Sequence, residues 1–353
     1  PRLRLRAVTT IVTGGAGFIG SHIVDRMADA GEEVRVVDAL LPAAHATPPT
    51  DLRADVDHAW VDLTDESALA AALSGVDAVC HQAAMVGLGV DFEDVVAYCH
   101  HNDLGTATLL RALHRLDFSG RLVLASSMVV YGEGRYRCAE HGLVRPGARA
   151  VAQLEAGLWE PPCPSCGAAL EAEAVPEDAA IDPRNVYAAT KAHQEHLSRA
   201  FVREHPDVDL TILRYHNVYG PRMPRDTPYA GVAGIFRSAV ARGEAPRVME
   251  DGGQRRDFVH VDDVARANVI ALTAPTAVPG TFNIASGTPR SVLDLAEALV
   301  GASPGAPPPE VVGGHRPGDV RHVFASTASA GQDLGFSAEV DFHEGVAAFA
   351  AAD

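Results

Sequence analysis

The segment that most constrains this chain is Thr13-Gly14-Gly15-Ala16-Gly17-Phe18-Ile19-Gly20. A run of β-branched and apolar residues, Ala7–Thr13, precedes it and predicts a buried strand. An apolar periodicity to about Ala30 follows and predicts a helix. Glycines at 15, 17 and 20 give Gly-x-Gly-x-x-Gly, and those at 14, 17 and 20 give Gly-x-x-Gly-x-x-Gly. Glycine there allows a tight turn and lets backbone approach a pyrophosphate, which the helix N-terminus then holds with its amides and partial positive charge. Asp38 ends the second expected strand, 18 residues after Gly20. A carboxylate at that place accepts from ribose hydroxyls and repels a 2′-phosphate, so the pattern predicts NAD rather than NADP.

The rest of the first half alternates in the same way. Strands are expected over Glu33–Asp38, His58–Asp62, Val76–His81, Arg121–Ser126 and Asp209–Arg214. Helices are expected around Leu69–Leu73, over Glu93–Arg115, and from Asn185 to His205. Such alternation predicts an α/β fold, a Rossmann-type doubly wound parallel sheet, with a smaller mixed α/β C-terminal domain for the substrate. The division expected is 1–217 for the NAD-binding domain and 218–353 for the second domain. Residues 134–181 form a Cys-containing insertion, and 258–273 rejoin the first domain.

Charge and hydropathy narrow the function. Asp+Glu outnumber Lys+Arg by 46 to 29, a formal charge of −17. That argues against nucleic acid and against an acidic membrane surface as partners. No run of about 20 apolar residues is present to span a membrane. The basic start, Pro1–Arg6, leads into a short strand rather than a signal-peptide core, so a cytoplasmic enzyme is expected.

Lys191 is the only lysine of the chain. A bias that replaces Lys by Arg wherever either serves leaves a lysine where arginine fails. Lys191 follows Tyr187 by four residues in an expected helix, so the two side chains share a face. A phenol with an ordinary pKa near 10 becomes a base near neutrality only if nearby positive charge lowers it by about 3 units. Lys191 and an oxidised nicotinamide ring are the expected sources. Ser126-Ser127 ends a strand at the C-terminal edge of the sheet, where open α/β sheets bind ligands.

Together these segments resemble the extended short-chain dehydrogenase/reductase superfamily, in particular its NAD-dependent nucleotide-sugar epimerases and dehydratases. The resemblance also rests on His81-Gln82-Ala83-Ala84, Asn102 with Gly105-Thr106, Ser126–Gly132, Arg214–Pro221, Arg256–Asp263 and Arg316–Asp319. It implies Ser127, Tyr187 and Lys191 as catalytic residues. It implies Gly14, Gly17, Phe18, Ile19, Gly20, Asp38, Asp62, Leu63, Ala83, Ala84 and Asn102 as cofactor contacts, with Tyr187 and Lys191 shared. Val86, Ser127, Asn217, Arg256 and Arg316 would meet a nucleoside-diphosphate sugar, with Met85 and Gly87 bordering the sugar. The 4,6-dehydratases of the superfamily carry Asp-Glu after the catalytic hydroxyl residue. Here Met128-Val129 stand there and move no protons, which favours epimerisation through a 4-keto sugar. A 4-keto-sugar reductase and a non-catalytic sensor are the alternatives. The insertion resembles that of dTDP-L-rhamnose 4-epimerase-like proteins.

Within the insertion, Cys138-x-x-His141 and Cys163-x-x-Cys166 offer three thiolates and an imidazole at zinc-knuckle spacing. The alternatives are reduced thiols on a loop or a Cys163–Cys166 redox pair. Structural zinc ordering a lid over the sugar is expected, with Cys80 and Cys99 as ordinary buried residues. The apolar stripe of Val95–Leu116 is a candidate homodimer face.

Overall fold

A computed structural model describes residues 8–42, 45, 47, 49–87, 92–225, 231–316 and 319–352. The first strand, β1 (Thr9–Thr13), is wholly buried, as its unbroken β-branched run requires. Beside it run β2 (Glu33–Asp38), β3 (Asp57–Trp60), β4 (Ala78–His81) and β5 (Arg121–Ser127). The large sheet has seven parallel strands. Its order is Gly280–Ile284, Asp209–Tyr215, β5, β4, β1, β2, β3. Strand order reverses between β1 and β4, and that switch point opens a crevice at the carboxyl ends of the strands.

Two apolar layers cover the sheet. Helix α1 (Phe18–Asp29) packs Ile23, Val24 and Met27 on one face, together with Val264, Ala267 and Ala271 of helix Val261–Thr273. On the other face α2 (Glu66–Ala72) supplies Leu69, and helix Gly105–Arg115 supplies Leu109 and Leu113. A third core, with Phe236, Phe258, Leu295 and Phe349, builds the smaller region after the large sheet.

Several expectations change. The helix expected over Glu93–Arg115 is a composite: a 3-10 turn at Phe92–Asp94, an α-turn at Val95–Tyr98, a π-helical segment at Cys99–Leu104, then α-helix. The π segment turns Asn102 inward. Its amide accepts from the Met85 N–H at 2.7 Å and donates to the Met85 carbonyl at 3.0 Å and to Thr190 Oγ1 at 2.9 Å. The strand of the rejoining segment, Arg255–His260, belongs to a small second sheet with Asn217–Tyr219, Pro289–Ser291 and His322–Val323, while its helix packs on α1. The seventh strand of the large sheet, Gly280–Ile284, was not anticipated.

The insertion is ordered into three short antiparallel strands, Arg135–Cys138, Gly142–Val144 and Glu171–Glu173. Cys80 is buried as expected, whereas Cys99 is exposed on the π segment.

Candidate active site

The switch-point crevice is a continuous cavity of about 640 Å³. At one end lies the glycine turn. Gly14 has φ +67°, and a Cβ there would sit 2.7 Å from the Ala83 nitrogen. A Cβ on Gly20 would sit 2.1 Å from the Gly14 carbonyl oxygen, so glycine is what lets α1 dock against the turn. At Gly17 the nearest obstacle is 3.3 Å away. Helix α1 begins after Gly17 with no side chain capping it, which leaves its first amides for an anion. Asp38 accepts from the Ala16 N–H at 3.0 Å and the Leu40 N–H at 2.8 Å, so its carboxylate is fixed at the end of β2. Asp62 is braced by Thr64, whose N–H and hydroxyl each donate at 2.8 Å. Phe18, Ile19, Leu63, Ala83 and Ala84 line the same end. The turn, the uncapped helix and the anchored acid fit a dinucleotide.

Asn102 departs from expectation. It is fully buried and lines no part of the cavity; it pins the Met85 loop to helix Val186–Glu204. Its place in the chain suggests a cofactor contact, but the π segment turns it into the scaffold. Of the three residues expected beside the sugar, Val86 and Gly87 line the cavity and Met85 does not.

Ser127, Tyr187 and Lys191 meet at the centre. Helix Val186–Glu204 starts at Asn185, whose side chain accepts from the Ala188 N–H at 2.8 Å. That cap sets the phase that aims Tyr187 and Lys191 inward. Ser127 and Tyr187 face the same part of the cavity. Lys191 is 3% exposed, and its Nζ donates to the Ala125 carbonyl at 2.9 Å. Burial pushes the Tyr187 phenol up to about 12, against the lowering effect of the Ser127 hydroxyl. Burial brings the Lys191 ammonium down to about 7, against the charge of Glu195. The expected fall of the Tyr187 pKa is therefore not produced by the protein's own groups. Burial is the larger influence on each of the two groups.

Beneath the lysine lies a pair that sequence reasoning missed. Glu195 accepts from Arg214 Nη2 at 2.8 Å and from Ser126 Oγ at 2.5 Å, all buried. Burial raises the Glu195 carboxyl, but the Arg214 hydrogen bond and charge prevail and hold it below the ordinary range. Glu195 stands four residues after Lys191 on the same helix, so the spacing that flagged Tyr187 also pointed to it. Its charge favours the protonated lysine.

At the far end, Asn217, Arg256 and Arg316 line the cavity with Gln254, Phe236 and Met249. The Asn217 side-chain oxygen is buried without a partner among the described residues. Arg256 Nη1 donates to the Arg321 carbonyl at 2.9 Å, and Nη2 to the Val320 carbonyl at 2.7 Å. Two cavity-lining arginines and a free amide oxygen suit a phosphorylated ligand.

The Cys/His residues also converge. One ligand atom from each of Cys138, His141, Cys163 and Cys166 lies within 4.8 Å of all the others. Cys138 Sγ is 3.7 Å from Cys166 Sγ and 3.5 Å from His141 Nδ1; Cys163 Sγ is 3.8 Å from that nitrogen. A zinc ion bound by thiolates at about 2.3 Å and imidazole at about 2.0 Å sets tetrahedral edges of about 3.8 and 3.5 Å. Backbone N–H groups of His141 and Glu140 lower the Cys138 thiol. The donor set fits zinc. No residue of the insertion lines the cavity, so it is not the expected lid.

A dinucleotide turn at one end, a Ser-Tyr-Lys set with a buried lysine in the middle and arginines at the other define an NAD-dependent enzyme of the short-chain dehydrogenase/reductase type. The model of the NAD dependent epimerase/dehydratase family matches residues 10–146 and 164–285, and the chain belongs to that family. The internal stretch between the two matched segments, 147–163, lies within the insertion. Over 95% of its length the chain is 35% identical to a dTDP-L-rhamnose 4-epimerase from Burkholderia thailandensis, of which 92% is covered. It is 29% identical to a putative UDP-glucose 4-epimerase from Methanocaldococcus jannaschii, over 95% of both chains. The structure superposes on the Thermus thermophilus UDP-glucose 4-epimerase in complex with NAD with a TM-score of 0.76, at 30% identity over 97% of this chain and 98% of that one. The Thermotoga maritima UDP-glucose 4-epimerase with UDP-glucose gives 0.79, at 27% identity over 97% of both.

Proposed function

We propose that the protein inverts C4 of a nucleoside-diphosphate hexose through a transient 4-keto sugar, with dTDP-L-rhamnose as the first candidate substrate. The single cavity carries this reading, because it joins the dinucleotide turn, the Ser127-Tyr187-Lys191 set and the Arg256/Arg316 end. In this reading residues 1–217 hold NAD and 218–353 supply the nucleotide end. Gly14, Gly17, Phe18, Ile19, Gly20, Asp38, Asp62, Leu63, Ala83 and Ala84 would hold the cofactor. When bound there, NAD would supply a reversible hydride acceptor.

Tyr187 takes the proton from the sugar O4 as the carbonyl forms and returns it after the sugar turns over. Ser127 Oγ holds O4 in line with the phenol. Lys191 in its protonated form favours the Tyr187 phenolate, and Glu195 favours that protonated form. Asn217, Arg256 and Arg316 fix the diphosphate so that the 4-keto sugar presents either face without leaving. Met128 and Val129 carry no proton, so water is not eliminated across C5 and C6.

Cys138, His141, Cys163 and Cys166 would bind a structural zinc with no open position for substrate. The cytoplasm keeps such thiols reduced. A homodimer would cover Phe92 and Val96, which are 76% and 75% exposed on the composite helix.

The test is incubation with dTDP-L-rhamnose and a panel of UDP- and GDP-hexoses without added cofactor, followed by NMR of the products. A C4-inverted sugar supports the epimerase. Turnover only with added NADH and a 4-keto sugar would move the assignment to a reductase.

A further inference from the structure

The insertion leaves the cavity alone yet is tied to it by a buried chain of polar contacts. Glu133 stands at its entrance. One oxygen of Glu133 accepts from Tyr136 Oη at 2.7 Å, from the Arg321 N–H at 2.7 Å and from the His322 N–H at 3.2 Å. The Gly134 N–H donates to the His322 carbonyl at 3.0 Å, and a Cβ on Gly134 would meet that oxygen at 2.3 Å. The strand Arg135–Cys138 then runs from this contact directly to the first thiol.

A second tether leaves the other knuckle. Glu160 stands three residues before Cys163. Its Oε1 accepts from Arg321 at 2.7 Å and its Oε2 pairs with His322 Nε2 at 2.9 Å. His322 Nδ1 accepts from the Arg255 N–H at 3.0 Å, so the ring proton sits on Nε2 and faces Glu160. Arg321 also pairs with Glu250 at 2.9 Å. Arg149, within the insertion, pairs with that same carboxylate at 2.8 Å and donates to the Asp319 carbonyl at 2.9 Å.

Glu133, Glu160 and Arg149 each bond to residues 319–323, whose carbonyls at 320 and 321 hold the Arg256 guanidinium. We propose that the Cys138/His141/Cys163/Cys166 metal module is a brace for the substrate-diphosphate site. Through Glu133, Glu160 and Arg149 it fixes segment 319–323, and that segment aims Arg256 at the diphosphate. Glu160 and Glu133 are then positioning residues outside the cavity. The proposal rests on the zinc reading of the four ligands and on Arg256 as a diphosphate contact. It differs from a lid in that no part of the insertion need move or touch sugar.

The test compares wild type, Glu160→Ala, Glu160→Gln and Arg256→Met. For each, zinc is counted by elemental analysis and retained NAD by absorbance of the released cofactor. Kd values for UDP and dTDP are measured by calorimetry before and after zinc depletion with a chelator. Half of the Glu160 side chain is exposed, and without it the buried Arg321 still pairs with Glu250 and Asp251. The brace predicts that Glu160→Ala keeps zinc and NAD while the tighter of the two nucleotides binds about tenfold more weakly, with Glu160→Gln intermediate. Zinc depletion of wild type shifts Kd in the same direction without loss of NAD. Depletion of Glu160→Ala adds little, because contacts in one network are not additive. Wild-type nucleotide affinity in zinc-loaded Glu160→Ala would overturn the brace and leave the zinc reading standing. A wild-type protein that neither retains nor takes up zinc would overturn the metal part alone. Unchanged affinity in Arg256→Met would instead remove the diphosphate reading.

Discussion

At the scale of single residues, the proposed mechanism separates the group that moves a proton from the groups that tune it. Tyr187 is raised by burial to about 12, so a phenolate forms only with help from positive charge. Replacing Tyr187 by Phe removes the proton carrier while keeping the ring. Turnover should fall by about 10²–10⁴-fold, with NAD still bound, as product NMR and released-cofactor absorbance will show. Lys191 gives a separate pH signature. Its pKa falls from 10.5 to about 7 on folding. Between those values the unfolded chain holds a proton that the folded chain lacks, so this group makes stability rise with pH across that window. In urea unfolding of NAD-free protein, wild-type stability should climb from about pH 7 to 9.5 more steeply than that of Lys191→Met. Parallel curves would mean that Lys191 is not buried in this way. The Glu195–Arg214 pair matters for the same reason. Removing one partner of such a pair costs about 3–5 kcal/mol, because the other charge is left buried.

At the scale of elements, close approach of backbone decides what the glycine turn tolerates. Gly20→Ala would press a methyl group onto the Gly14 carbonyl at 2.1 Å, which only a shift of α1 relieves. Overpacking of this kind costs on the order of 1–3 kcal/mol. The variant should lose retained NAD and melt earlier than wild type, whereas Gly31→Ala, with open space around it but φ +79°, should melt earlier through backbone strain and yet retain its NAD. Local sequence carries such features well. The strand, turn, helix and acid lie within one stretch, and Tyr187 and Lys191 are one helical turn apart. The same reasoning fails where a distant contact sets the local structure. Asn102 became scaffold because a π segment rotates it toward Met85 and Thr190. Gly280–Ile284 is a strand because Asp209–Tyr215 offers an edge for it, and Asn283 is held by Tyr131 at 2.7 Å. Neither partner is near in sequence.

At the scale of the molecule, one cavity crosses from the large sheet to the smaller region, and the insertion holds its far rim from outside. The parallel, doubly wound character of the sheet was legible from the alternation of elements, whereas the order of its strands was not. The four Cys/His residues were legible from their spacing, but their use was not. What they support depends on Arg321 and His322, more than 150 residues onward, whose contacts no local pattern announces. The central claim is that C4 loses its hydrogen as hydride and regains that same hydrogen on the other face. The most direct measurement uses the nucleotide sugar turned over in the panel, deuterated at C4, with product NMR in ordinary water. The account predicts that the inverted product keeps its deuterium at C4 and that unlabelled sugar takes up none from D2O. Loss of the label to solvent would contradict it, because a proton, not a hydride, would then have left C4.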